Sequence, residues 1–132
     1  MHIYFAAMKG NMNHKSKQLL LVDDDQTVLD MMTEVLTDFG HYVTSAPSAR
    51  HALNLFMSAG NAFDLLITDI CMPEMNGVEL IKAVRAHNET LPIIAISGFS
   101  EPDAHNEIEH YDARMLTKPV DFLALQQTID AL

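Results

Sequence analysis

Three carboxylates, Asp23, Asp24 and Asp25, follow directly on the apolar run at residues 19–22. Asp69 closes a second such run, DLLITD; Ser97 closes a third, PIIAIS; and Lys118 follows a fourth, RMLT. Carboxylates gathered within a few ångströms repel by roughly 1 kcal/mol per pair in water, and several times that at lower effective dielectric. Two outlets exist: one carboxyl keeps its proton, or a cation binds. A hard, oxygen-liganded ion such as Mg²⁺, which keeps several waters, suits such a site. Lys118 adds a fixed positive charge, and a set of carboxylates, Mg²⁺, lysine and hydroxyl is suited to neutralising a phosphoryl group. Asp25 stands just before a helical pattern and reads as its cap. Taken singly, all of these residues have ordinary uses, in caps, turns and surface positions. Their mutual compensation is what points to chemistry.

The elements that must position them alternate. Strand-like runs occupy 19–22, 41–46, 64–68, 92–97 and 114–117. Between them apolar residues recur at helical spacing. Val28, Met31, Val35 and Phe39 precede Gly40, a stop signal. Ala52, Leu53 and Phe56 precede Gly60; Val78, Ile81 and Val84 follow Gly77; Phe122, Leu125, Ile129 and Leu132 close the chain. The fourth helical stretch, 101–110, begins with a Ser100–Asp103 capping pattern and has a thin apolar stripe, Ala104 and Ile108, with Tyr111 beyond. So narrow a stripe predicts the most weakly held of the five helices. Five strands alternating with five helices give a (βα)5, doubly wound α/β fold with a five-stranded parallel sheet. In the flavodoxin-like strand order 2-1-3-4-5 ligands bind beyond the carboxyl ends of the strands, and the polar ends of strands 1, 3, 4 and 5 share one crevice. Strand 2 ends in Ser45-Ala46-Pro47, with nothing ionisable, as befits an edge.

With these residues placed, LLLVDDD (19–25), DLLITDICMPEMNGVEL (64–80), IIAISG (93–98) and MLTKP (115–119) together resemble the receiver domain of bacterial two-component response regulators, of the CheY-like type. The resemblance covers residues 18–132 and implies roles position by position. Asp69 is the expected phosphoacceptor, taking its group from a sensor histidine kinase, a phosphotransfer protein or a small donor. Asp24, Asp69 and the backbone carbonyl of Cys71 are the expected Mg²⁺ ligands, with Asp23 acting through water. Ser97 and Lys118 would bind the phosphoryl oxygens, Pro119 would follow a cis peptide bond, and Gly77 would permit the turn after the phosphorylation loop. Met115 stands where many members carry Tyr or Phe, and becomes the expected filler when Ser97 moves. Tyr111-Asp112 stands where Gly-Ala is usual. Phe99 and Cys71 occupy positions that tune phosphoryl lifetime, and an apolar Phe99 predicts slow self-dephosphorylation. The implied activity is self-phosphorylation and slow self-dephosphorylation without turnover of an external substrate, regulating a downstream protein or an output domain through the face of strands and helices four and five.

Composition bounds the alternatives. Residues 1–17 carry three lysines and no acid and read as a flexible polar tail; the other 115 residues balance at −13, which disfavours direct nucleic-acid binding. No segment approaches the ~20 apolar residues of a membrane span. IYFAAM is too short for a signal-peptide core, and one cysteine fits a reducing compartment, so a cytoplasmic protein is expected. Asp23-x-Asp25-x-Thr27 also matches the short DxDxT signature of haloacid-dehalogenase-type phosphatases, with Asp23 as nucleophile and Asp25 as acid/base. That family needs a further acidic pair beyond the lysine, and only Asp121 and Asp130 follow Lys118. The phosphatase is the alternative to a receiver.

Overall fold

A computed structural model describes residues 15–98 and 102–132; residues 1–14, Phe99 and the Ser100–Asp103 capping pattern lie outside the described residues. β1 (Gln18–Val22), β3 (Leu65–Asp69) and β4 (Ile93–Ser97) are the unbroken apolar runs, and every residue in them but Gln18 is buried. β2 (Tyr42–Ala46) and β5 (Arg114–Thr117) mix exposed and buried positions. A strand buried on both faces belongs at the centre of a parallel sheet and a half-exposed one at its edge. The sheet obeys this rule: it is parallel throughout, in the order β2-β1-β3-β4-β5.

Alternation along the strands divides the core in two. Leu20, Leu66, Ile93 and Ala95 face α2 (Ala49–Ala59), α3 (Gly77–Arg85) and α4 (Pro102–His110). Leu19, Leu21, Ile67, Ile94 and Ile96 face α1 (Gln26–Asp38) and α5 (Phe122–Asp130). A short 3₁₀ turn, Gly60–Ala62, carries the chain from α2 to β3, so Gly60 continues the helical path in tighter form rather than stopping it.

Helix ends follow their side chains. The Asp25 carboxylate accepts from the N–H groups of Thr27 at 3.0 Å and Val28 at 3.3 Å, capping α1 as expected. Gly40, at φ 99°, closes the same helix: its N–H donates to Thr37 O and that of His41 to Leu36 O, a Schellman pair. Asn76 and Glu79 form a reciprocal capping box on α3.

The buried line of α1 differs from the expected one. Leu29, Met32, Val35, Leu36 and Phe39 face the sheet, Val28 is half-buried, and Met31 is 44% exposed. Apolar residues at 28, 29, 31, 32, 35, 36 and 39 allow two neighbouring helical phases, and periodicity alone does not choose between them. On α5, Leu125 and Ile129 are buried but Leu132 lies beyond the helix and is exposed, while the polar Gln126 is fully buried. The thin stripe of α4 rests on Ile108, which is completely buried.

Candidate functional site

Parallel register carries the candidate residues to one edge. Val22 pairs with Thr68, so the next residues, Asp23 and Asp69, emerge side by side. Asp69 pairs with Ile96, placing Ser97 one step further along, and Ser97 pairs with Thr117, the residue before Lys118. The Lys118 N–H donates to Ser97 O at 2.8 Å, prolonging the ladder past the strand. The Lys118–Pro119 peptide bond is cis.

Asp23, Asp24 and Asp69 bring carboxylate oxygens within 4.8 Å of one another. Asp23 and Asp69 are buried and Asp24 is exposed. The Asp25 N–H donates to Asp23 Oδ1 at 2.9 Å, so Asp25 supports the cluster by its backbone while its side chain caps α1. Lys118 Nζ lies 3.2 Å from Asp69 Oδ1. That buried oxygen makes no aligned hydrogen bond, so the contact is best described as an ion pair with the oxygen's remaining capacity unused. Burial raises the Asp69 carboxyl above its ordinary value, against the opposing pull of Lys118. Asp23 is also raised, first by burial and then by the Asp69 charge, with the Asp25 N–H opposing. Burial would lower the Lys118 ammonium, but Asp69 outweighs it and the group stands above its ordinary value.

Two backbone devices hold Asp69, neither of them evident from sequence. The buried Thr68 hydroxyl donates to the Asp69 carbonyl at 2.9 Å. Gly77 packs so closely on that carbonyl that a Cβ there would collide with its oxygen. Gly77 is not among the positive-φ residues; close approach, rather than a special turn dihedral, requires glycine here. The Gly77 N–H also donates to Ile70 O at 2.9 Å, closing the loop that contains exposed Cys71. Ser97 is buried, with its hydroxyl 3.4 Å from Gly98 O. Met115 is half-buried against the core beneath α2, α3 and α4.

The model of the response regulator receiver domain matches residues 19–130. The chain belongs to the response regulator receiver domain family. It is 42% identical over 110 residues to an uncharacterized 14.6 kDa protein from Leptolyngbya boryana, covering 81% of this chain and 82% of that one. It is 37% identical to the transcriptional regulatory protein GlrR of Escherichia coli, covering 90% of this chain but only 27% of that longer protein. Among solved structures, chemotaxis protein CheY4 of Vibrio cholerae superposes with a TM-score of 0.79 at 31% identity, covering 89% of this chain and 98% of that one.

Receiver domains are the phosphoacceptor modules of two-component signalling and interact with histidine kinases and output domains. The phosphatase alternative is not supported: the residue it would use as acid/base, Asp25, is committed to capping α1. No helix among the described residues is long and apolar enough to cross a membrane.

Proposed function

We propose that this receiver domain takes a phosphoryl group on Asp69 and reports it through the face of α4, β5 and α5. Asp69 itself carries the reading: a buried strand-end carboxylate with an ammonium 3.2 Å away and a buried oxygen short of hydrogen bonds. Its carboxylate attacks the phosphorus of a phosphohistidine on a histidine kinase or phosphotransfer protein, or of a small acyl phosphate. An O–P bond forms as the bond to the donor breaks, the electron pair leaves with the donor, and an aspartyl phosphate results. Lys118 neutralises one phosphoryl oxygen, and the Ser97 hydroxyl turns from its 3.4 Å contact to donate to another. The oxygen-rich cluster and the under-bonded Asp69 Oδ1 fit a hard cation. Asp24, Asp69 and the Cys71 carbonyl would hold Mg²⁺, supported by Asp23, and the bound ion supplies positive charge against the incoming phosphoryl group.

Beside Lys118 opens an apolar groove of about 530 Å³ lined by Val28, Met31, Met32, Pro119, Val120 and Phe122. It gives a phosphohistidine-bearing donor a surface to rest on, and accounts for the exposure of Met31. When Ser97 moves, Met115 and α4 adjust and present a changed face to a downstream protein or an output domain. Methionine, with three rotatable bonds, fills the space less sharply than a ring would. We place the domain in the cytoplasm, where Cys71 stays reduced; its acidic balance speaks against direct contact with nucleic acid. It turns over no external substrate.

The test is incubation of the whole chain with acetyl phosphate and Mg²⁺. One phosphoryl group should appear by mass, map to Asp69 after borohydride reduction, and be absent from Asp69→Asn. Label on Asp23 in place of Asp69 would overturn the assignment.

A further inference from the structure

Arg85, the last residue of α3, spends its guanidinium on main-chain oxygens of two different loops. Nη1 donates to Leu91 O at 2.6 Å and Asn88 O at 3.2 Å, in the loop leading to β4. Nε donates to Tyr111 O at 2.7 Å and Nη2 to Asp112 O at 3.3 Å, in the turn between α4 and β5. That turn ends α4 by a Schellman pair: Asp112 N–H to Glu109 O and Ala113 N–H to Ile108 O. Its left-handed position, at φ 57°, is held by Asp112 where glycine is the usual occupant. Ile108, one turn earlier, is completely buried and Ala113 nearly so. The C-terminal end of α4 is thus fixed by side-chain burial, by its own cap and by four charge-assisted bonds radiating from one residue.

The other half of α4 is seated differently. Between it and α3 lies a gap of about 290 Å³ bordered by Ile70, Val78, Lys82, Ala104 and Glu107. Across its mouth runs a Lys82–Glu107 ion pair at 3.7 Å, half-exposed on both sides. Such a pair contributes little and is easily exchanged for water. Ile70, on the floor of the gap, is the residue after Asp69, so this space adjoins the acceptor.

We infer that Arg85 is a positioning residue that clamps the C-terminal end of α4, so that phosphorylation moves this helix about a fixed lower end into the space beside α3. The inference rests on Asp69 being the acceptor, and two experiments keep the two apart. The first needs no phosphorylation. In the unmodified protein, hydrogen exchange at the amides of 111–113 should be slower than at 104–107, and in Arg85→Lys it should rise about tenfold or more at 111–113 alone. Lysine keeps the charge but has no planar fork to span four carbonyls. The second follows amide chemical shifts on adding acetyl phosphate and Mg²⁺. Wild type should show large changes at 104–107 fading towards 110–113; in Arg85→Lys the gradient should flatten while the phosphorylated fraction, read by mass, is unchanged. Wild-type changes as large at 110–113 as at 104–107 would remove the clamp, and that comparison requires no variant to fold. An Arg85→Lys profile superimposing on wild type would likewise overturn it. Absence of any mass gain at Asp69 would instead count against the acceptor assignment, leaving the exchange experiment to decide the clamp.

Discussion

The two ends of the sheet each gather buried polar side chains, and they treat them in opposite ways. At the amino ends of β1 and β2, His41 and Gln126 are almost wholly buried. The Lys17 N–H donates to His41 Nδ1 at 3.1 Å, which leaves the ring proton on Nε2, facing Gln126 Oε1 at 2.8 Å. With its oxygen so occupied, the Gln126 amide turns its NH₂ to Asp130 Oδ1 at 2.8 Å, and Lys17 Nζ reaches Ile129 O at 3.1 Å. Each bond fixes the orientation required by the next. At the carboxyl ends, three carboxylates crowd within 4.8 Å, the Lys118 ammonium pairs with Asp69, and a buried oxygen is short of bonds. The first cluster uses polarity to tie the chain together from residue 17 to the last helix. The second holds unsatisfied charge, and unsatisfied charge is what can recruit a cation and a phosphoryl group.

The comparison breaks most readily at the satisfied end. Gln126→Ala removes the acceptor from His41 Nε2 and the donor from Asp130 and opens a hole in a packed interface. The expected loss is about 2–4 kcal/mol, with the urea midpoint falling and its slope unchanged. Acetyl phosphate labelling of Asp69 under native conditions should proceed as before. A loss below about 1 kcal/mol would show that the buried chain of bonds ties nothing down.

The charge-crowded end should respond with the opposite sign. Burial and the neighbouring Asp69 charge raise the Asp23 carboxyl above its ordinary value of 3.8. The native state therefore holds this proton more tightly than the unfolded chain, and stability falls as pH rises from 3.8 through the raised native value. Asp23→Asn, which keeps an oxygen to accept the Asp25 N–H, should stabilise the metal-free protein by about 1 kcal/mol at neutral pH, or about 3–4 °C in Tm. The gain should fade on acidification and vanish below pH 3.8. Millimolar Mg²⁺ should close the gap, because wild type, which keeps the Asp23 charge beside the site, gains more by mass action than the variant. An Asp23→Asn protein no more stable than wild type in chelator at pH 7 would mean that the cluster is not strained.

The same contrast explains what could be read from sequence. Strand order and the placement of Asp23, Asp69 and Ser97 were legible, because a central parallel strand is a continuous apolar run and its last residue is marked by the change to polarity; Lys118 follows the edge strand β5 and was marked instead by the Lys-Pro pair of MLTKP. The His41–Gln126 pair was not: its partners lie 85 residues apart, and nothing local distinguishes a buried glutamine from an exposed one. Thr68 escaped notice because threonine is at home in any strand. Gly77 was legible as the residue that permits the turn, but its close approach to Asp69 O was not, since that is a tertiary contact. The phase of α1 was lost to redundancy, with apolar residues at 28, 29, 31 and 32 all competing for the sheet.

Among the described residues, each end also holds one residue other than glycine in the left-handed region, which allows a finer test of where strain is kept. Glu74, in the loop between Asp69 and α3, has φ 64°; Asp112, in the turn before β5, has φ 57°. Aspartate enters this region readily, and Asp112 has Arg85 Nη2 on its carbonyl. Glutamate has no such aptitude, and its Cβ costs about 1–2 kcal/mol there, partly balanced by the roughly 0.5–1 kcal/mol that glycine forfeits in chain entropy. Glu74→Gly should therefore stabilise the protein by about 0.5 kcal/mol, while Asp112→Gly should give nothing or a small loss, since it also removes a carboxylate facing Arg85. Urea melts of the two variants in chelator, against wild type, measure the difference. Equal gains from both would mean that backbone strain is shared between the ends, and that only charge, and not conformation, sets the phosphorylation loop apart from the turn opposite.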